Sequence, residues 1–351
     1  MSDTNELHTR LAAEPLGSVV IFAPSPLLTI TVEEQAGEPD IHLHAGGQGV
    51  WQARMVRVIG ATPILCASFA GETGRVLQHL ITDEGFDLRA VQRSGQGAAY
   101  IHDRRTGHRQ HIVETGGDPI NRHALDTLYG QTLRAALSAD VVLLSGPHGD
   151  RALPADVYRR LAADLRDRAA KVMVDLAGPR LDAALQGGVD IVKISHDELL
   201  ADRRVSSTEP VEIFRAMRAI QDHGADVVLV TRAELPLLML SGDAVQQVTA
   251  PRMAVLDTTG AGDSFTAAVA ACLAQQQSVE QAAVIGAAAG ALSVTRHGLG
   301  TGDRSAIIDL SRFVQISPFA ADAPEPRVRL SPVQLARLIR KGPSDASPDH
   351  E

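Results

Sequence analysis

Apolar and polar positions follow two periods along the chain, and the switches between them mark its elements. "SVVIFAP" (Ser18–Pro24) is a continuous apolar run of strand length, closed by Pro24 and Pro26, and predicts a buried strand. "TITVEEQ" and "DIHLHAG" alternate with period two and predict exposed strands of a small sheet. From Gln52 to Ile59 the pattern is helical, "TPILCASFA" returns to strand, and "GRVLQHLITDEG" predicts an amphipathic helix closed by Gly85. "GAAYIHDRRTGHRQHIVE" predicts a hairpin turning at Thr106-Gly107.

Beyond this the alternation is regular. Helix-period segments such as "HALDTLYGQTLRAAL" and "DVYRRLAADLRDRA" precede apolar strands such as "DVVLLSG", "KVMVDLAG", "VDIVKIS" and "ADVVLVTR". Strands apolar on both faces, with amphipathic helices between them, predict an α/β fold. Its sheet is doubly wound and mostly parallel, with helices on both faces and ligands at the carboxyl ends of the strands. "LPLLMLSG" and "AVQQVTA" predict two antiparallel strands, and helices follow from about Gly262 and about Val279.

This organisation predicts a domain over 17–319, with small-sheet strands over about 28–45 and 97–115. A polar, flexible tail (1–16) precedes it, and 320–351 follows with a linker, a short amphipathic helix and a disordered tail. In that last segment Ser331 caps a helix with Pro332 in its first turn.

Composition narrows the partners. The net charge of −9 lacks the basic footprint of a nucleic-acid binder. No apolar run reaches the length of a membrane span. Two cysteines far apart, Cys66 and Cys272, give no disulfide or zinc pattern and fit a reduced, cytoplasmic setting.

The chemistry concentrates in "VLDTTGAGDSFTAAVAACL" (Val255–Leu273), where the strand "MAVL" is predicted to run into Asp257, a glycine turn and a helix. Gly260 and Gly262 permit tight turning. The amides of Gly260, Ala261, Gly262 and Asp263 at a helix N-terminus would receive a phosphate. Asp263, in the first turn, would reach the group to which that phosphate is transferred. An anion cradle and a carboxylate that accepts an alcohol proton are the parts phosphoryl transfer needs. A plain helix cap is the simpler reading of a lone Gly-x-Gly.

The whole string resembles the second signature of the PfkB, or ribokinase-like, sugar kinase family, and the resemblance extends over about Ser18–Phe319. "AGGQGVWQARMVRVIGATPILCASFAGETGRVLQHLITDEG" is similar to the family's first signature region, and "VDIVKISHDEL" resembles its Lys-Pro-Asn-x-x-Glu-Leu segment. The order of motifs looks most like the 1-phosphofructokinase and tagatose-6-phosphate kinase branch. The resemblance implies a ribokinase-like α/β domain with a small β-sheet lid over the sugar site, paired in homodimers through the lid.

It implies ATP and Mg2+ as cofactors, with K+ a further option, and an ATP-dependent transfer to an alcohol of a sugar, sugar phosphate or related polyol. By position, Asp263 would be the catalytic base and Gly260, Ala261 and Gly262 the anion hole. Glu198 would organise magnesium through water, and Asp257 lies where the family often binds a monovalent cation. Ser195 and Thr231 fall at nucleotide-contacting positions, with a strand-end hydroxyl an equal reading for Thr231.

The acceptor side departs from the family. Thr29 stands where an aspartate would grip hydroxyls. In the loop Gly46-Gly47-Gln48-Gly49-Val50-Trp51, Gln48 replaces a lysine and Trp51 an asparagine; Val113 replaces an asparagine in the lid. A hydrogen bond to a charged group contributes about 1.5–3 kcal/mol, so these losses weigh against the branch's own substrates. Ser195 likewise replaces an asparagine.

Against this, "HDRRTGHRQH" (His102–His111) is rich in arginine and histidine. Arg109 is expected to turn inward toward an anionic substrate, and Arg104 and Arg105 to form a solvated hairpin tip. His42 and His44, lacking a third ligand, read as exposed lid residues. Two alternatives stay open: a kinase-fold protein that binds a small ligand with weak or no catalysis, and a nucleoside kinase in which Trp51 stacks on a base.

Overall fold

The computed structural model describes residues 17–166, 170–296, 298–319 and, for the backbone only, 329–330. The expectations for 1–16 and for the helix at 331–341 lie outside the described residues.

Three apolar strands form the centre of the main sheet: β1 (Ser18–Ala23), with β4 (Thr62–Ala70) on one side and β8 (Val141–Ser145) on the other. All three are parallel, in the registers Ile21↔Leu65 and Ile21↔Leu143. β5 (Asp87–Arg93) extends the β4 side. β9 (Lys171–Asp175), β10 (Val189–Ser195) and β11 (Ala225–Arg232) extend the β8 side in parallel. Three antiparallel strands then finish the sheet: β12 (Leu235–Ser241), β13 (Ala244–Thr249) and β15 (Gln315–Pro318). The chain leaves β1 toward β4 and later returns to β8, so the carboxyl end of β1 is a switch point, where open α/β sheets hold ligands.

Helices cover both faces because each strand is apolar on both. One face carries α1 (Gln48–Ile59), α2 (Gly71–Asp83), α8 (Ala261–Ala274), α9 (Val279–Ser293) and α10 (Arg304–Ser311) over a core of Ile21, Val56, Leu65 and Val269. The other carries α3 (Arg122–Ala136), α4 (Asp156–Arg166), α5 (Gly178–Gly187), the short α6 (His196–Ala201) and α7 (Pro210–Asp222) over Phe22, Leu144, Tyr158 and Val192. α8 is apolar nearly all round and is buried accordingly.

Two insertions at the carboxyl edge build the second sheet. β2 (Leu27–Gln35) and β3 (Glu38–Gly46) leave β1. β6 (Ala98–Asp103) and β7 (Gln110–Thr115) leave β5, giving the order β3-β2-β6-β7. This is the small lid that the resemblance implied.

Three expectations need correction. β2 is not an exposed strand: Thr29 and Thr31 are buried, because the lid lies down on α1 and the loop before α10. α1 begins at Gln48 rather than Gln52, since Gly47 at φ +95 enters the helix and the glycines hid its first turn. "MAVL" is not a strand into Asp257. Pairing is confined to β14 (Arg252–Met253) with β16 (Arg329–Leu330), and Val255 and Leu256 are exposed.

Candidate functional site

The site gathers where β1, β8, β9 and β10 end beneath the lid. Gly260, in the left-handed region at φ +76, turns the chain into α8. Ala261, Gly262 and Asp263 form the first turn. The Ala261 amide donates to the Thr258 carbonyl at 3.3 Å, and the bonds to a carbonyl four residues back begin with Ser264 on Gly260 at 2.9 Å. Lys193, at the end of β10, lies against this turn: a Cβ added to Gly262 would sit 3.0 Å from its Nζ. Lys193 donates to Asp175, at the end of β9, over 3.0 Å, and Thr266 of α8 donates to the same carboxylate over 2.8 Å.

Gln52 closes the group. Its fully buried amide nitrogen lies 3.1 Å from Asp175 Oδ2 and 3.4 Å from Asp263 Oδ1, while its oxygen accepts from the Ser145 hydroxyl. Burial first, then the neighbouring Asp175, lift the Asp263 carboxyl to about 7, with Lys193 pulling the other way. Burial would lower the Lys193 pKa, but Asp175, Glu198 and Asp263 outweigh it and hold the ammonium charged, above its usual value. Burial raises Asp175 as well, against the pull of Lys193.

Asp175, Lys193 and Gln52 were not singled out from the sequence. The available signals were a lysine ending an apolar strand, an aspartate ending the next one, and two glutamines at i and i+4 on one helix.

The glycine loop serves packing as much as ligand approach. A Cβ on Gly46 would lie 2.5 Å from Thr29 Oγ1, one on Gly49 2.3 Å from Ala23 Cβ, and Gly47 is held against Pro26 and Leu27. Gln48 bridges two strand ends: its oxygen accepts from Gly146 N–H at 2.7 Å, and its nitrogen donates to the Asp175 carbonyl at 3.3 Å. The expected substrate residues therefore divide. Gln48 lines a cavity of about 630 Å³ with Gly146, Asp175, Glu198 and Asp202. Thr29, Trp51 and Arg109 line a second, of about 370 Å³, under the lid.

The lid cavity is polar and incompletely satisfied. Thr29 Oγ1, His102 Nδ1 and Arg109 Nε are buried without a partner. Buried polar atoms are rarely left so in a native fold, and three around one cavity suit a polar ligand. His102 donates or accepts through Nε2 with Thr31 (3.2 Å), and burial, then Arg109 and Arg104, push its pKa down to about 4. His44 is likewise lowered, by burial and then His42. His42 and His44 stack on each other, and no group of three His, Cys, Asp or Glu side chains able to hold a metal exists among the described residues.

Ser195 and Thr231 stand side by side in register at the ends of β10 and β11. Ser195 caps α6, and Glu198 reaches back to it, accepting from Ser195 N–H and Oγ–H at 2.7 Å each. The serine in place of asparagine thus engages one carboxylate oxygen of Glu198.

At the start of the loop that leads into α8, Arg104 and Arg109 each place Nη2 3.2 Å from Asp257 Oδ2. Asp257 Oδ1 accepts from Thr259 N–H at 3.0 Å. Arg104 is therefore no solvated tip residue: its side chain is 12% exposed. Arg105 does remain outside, paired with Asp103. Burial acts to raise the Asp257 carboxyl, but Thr259 and the two guanidiniums prevail and hold it below its ordinary value.

A model of the family described as "pfkB family carbohydrate kinase" matches residues 17–306. The ATP-dependent 6-phosphofructokinase isozyme 2 of Mycobacterium tuberculosis is 27% identical over 316 residues, covering 85% of this chain and 89% of that protein. The 1-phosphofructokinase of Bacillus subtilis is 23% identical, over 74% of this chain and 84% of its own length. Among solved structures, phosphofructokinase-2 from Escherichia coli in complex with potassium superposes with a TM-score of 0.72. It is 23% identical and covers 84% of this chain and 98% of its own, a likeness of fold.

Proposed function

Because the chain belongs to the pfkB family of carbohydrate kinases, we propose that it transfers the γ-phosphoryl group of ATP to an alcohol of a sugar, sugar phosphate or related polyol seated under the lid. The observation that carries this reading is Asp263 in the first turn of α8, half-buried beside the helix's N-terminal amides and the Lys193 ammonium. A carboxyl with a pKa of about 7 is matched to taking a proton at neutral pH.

In this reading the acceptor oxygen attacks the γ-phosphorus as its proton passes to Asp263, and the bond to ADP breaks. The amides of Gly260, Ala261 and Gly262 hold the charge that develops. Thr231 and Ser195 meet the nucleotide. Glu198, lining the larger cavity, would hold magnesium through water, and the ion would supply positive charge to the phosphate oxygens. The unpaired Thr29, His102 and Arg109 atoms meet the acceptor, with Gly46, Gly47, Gln48 and Trp51 around the helix start between the two cavities.

Potassium does not fit at Asp257, whose oxygens are taken by Arg104, Arg109 and Thr259. The outer lid face carries an apolar row, Leu43, Ile30, Ile101 and Val113, paired in register across four strands. Leu43 and Val113 are 45% and 52% exposed, as is suited to a second copy. Both cysteines are buried and free, which supports a reduced, cytoplasmic setting.

A second reading has its own support. The Ser195–Glu198 capping box engages a carboxylate oxygen that magnesium organisation would use, which favours a ligand-binding protein with weak catalysis. Magnesium-dependent ADP release over a panel of sugars, sugar phosphates and nucleosides separates the two. Turnover abolished by Asp263→Asn supports the kinase. Silence across the panel, with ligand-induced thermal shifts, supports the binding protein.

A further inference from the structure

The tip of the lid is tied to the loop before α8 by a half-buried three-residue ion cluster. Arg104 follows β6 and Arg109 precedes β7, yet both reach Asp257, about 150 positions away in sequence, over 3.2 Å. Arg109 and Asp257 are 23% and 13% exposed, so the charges are largely shielded from water, where such pairs interact strongly. Asp257 is also the fixed end of the turn into the anion hole. Its carboxylate holds Thr259 N–H, and the amides of Leu256 and Asp257 hold the Val294 carbonyl at the end of α9.

We propose that Arg104 and Arg109 supply the positive charge at Asp257 that a bound monovalent cation would otherwise provide, so that this enzyme works without such an ion. The charge is carried on the lid, by residues that flank β6 and β7. The arginines act as positioning residues: they hold Asp257, which holds the turn at Thr259. This rests on the kinase reading above.

The test is calorimetric titration of the full chain with a magnesium-bound, non-hydrolysable ATP analogue. The sole added monovalent cation is either potassium or tetramethylammonium, which is too bulky for a protein cation site. The unaltered protein is expected to bind the analogue equally in both salts. The Arg104→Gln/Arg109→Gln double variant is expected to bind roughly tenfold more weakly in tetramethylammonium, the loss of about one charged hydrogen bond, and to recover in potassium.

Tighter binding by the unaltered protein in potassium overturns the proposal without any variant. So does a double variant, folded by circular dichroism, whose affinity is the same in both salts. Absence of analogue binding in either salt overturns the kinase reading itself, and the proposal with it.

Discussion

The side-chain amide of Gln52 lies 3.4 Å from the carboxylate of Asp263, and the same nitrogen lies 3.1 Å from Asp175. One donor thus stands between two carboxylates and positions the candidate base from the opposite helix. Gln52→Leu is expected to lower kcat at least tenfold and to destabilise the fold by about 1–3 kcal/mol, since Ser145 and Asp175 lose a buried partner. Gln52→Glu places a further negative charge beside Asp263 and moves the acidic limb of the pH profile upward. A merely structural residue would change the melting temperature without moving that limb.

The Asp263 pKa of about 7 sets the pH response. The base acts deprotonated, so kcat/KM is expected to fall tenfold per unit below about pH 7 and to level off above it. Lys193→Met removes the cation that favours the carboxylate and shifts the limb higher. It also leaves Asp175 buried without its ion partner, at a cost of about 3–5 kcal/mol. A limb near the ordinary aspartate value of about 4 would sink the assignment of Asp263 as base.

The lid carries its own titration. His102 is buried with a pKa of about 4, well below the usual 6.5 for histidine. As pH falls through 6.5 the unfolded chain binds this proton first, so stability is lost progressively between pH 6.5 and about 4. His102→Gln, which keeps a partner for Thr31, is expected to flatten the decline in melting temperature from pH 7 to 5. An unchanged slope would place the acid sensitivity elsewhere.

The row Leu43–Ile30–Ile101–Val113 gives a further test. If copies pair through this row, the unaltered protein is expected to sediment at twice 37.2 kDa and Leu43→Asp at the mass of one chain. The Trp51 side of the lid would be untouched, because Leu43 points away from it. A mass that stays doubled would remove the lid as the interface.

Much of the architecture was legible because each element buries a predictable face. The apolar strands β1, β8 and β9 and the amphipathic helices between them announced the parallel sheet, and "TTGAGD" announced the helix terminus that carries Asp263. Contacts made across the fold were not legible. Lys193 meets Asp175 because β10 lies beside β9, and Arg104 meets Asp257 because a lid folds onto a loop. Neither partner lies within a helical turn or strand repeat of the other, so no periodicity marks the pair. The sequence marks Gln48 as standing in a glycine loop in place of a lysine, but not that its amide also joins two strand ends.

Trp51 is the only tryptophan in the chain and lines the lid cavity with Thr29, Arg54 and Leu299. Its backbone is held there by Gly300, where a Cβ would lie 2.3 Å from the Trp51 carbonyl oxygen. Its emission therefore reports on that cavity alone. An acceptor entering under the lid is expected to shift the emission saturably, at concentrations matching its KM. Trp51→Ala removes a ring face worth about 0.5–1.5 kcal/mol beyond area burial, so KM for the acceptor is expected to rise roughly two- to tenfold while KM for ATP holds. A nucleoside that quenches Trp51 and is phosphorylated would identify the ring as a base platform. A rise in KM for ATP alone would move Trp51 to the nucleotide end of the cleft.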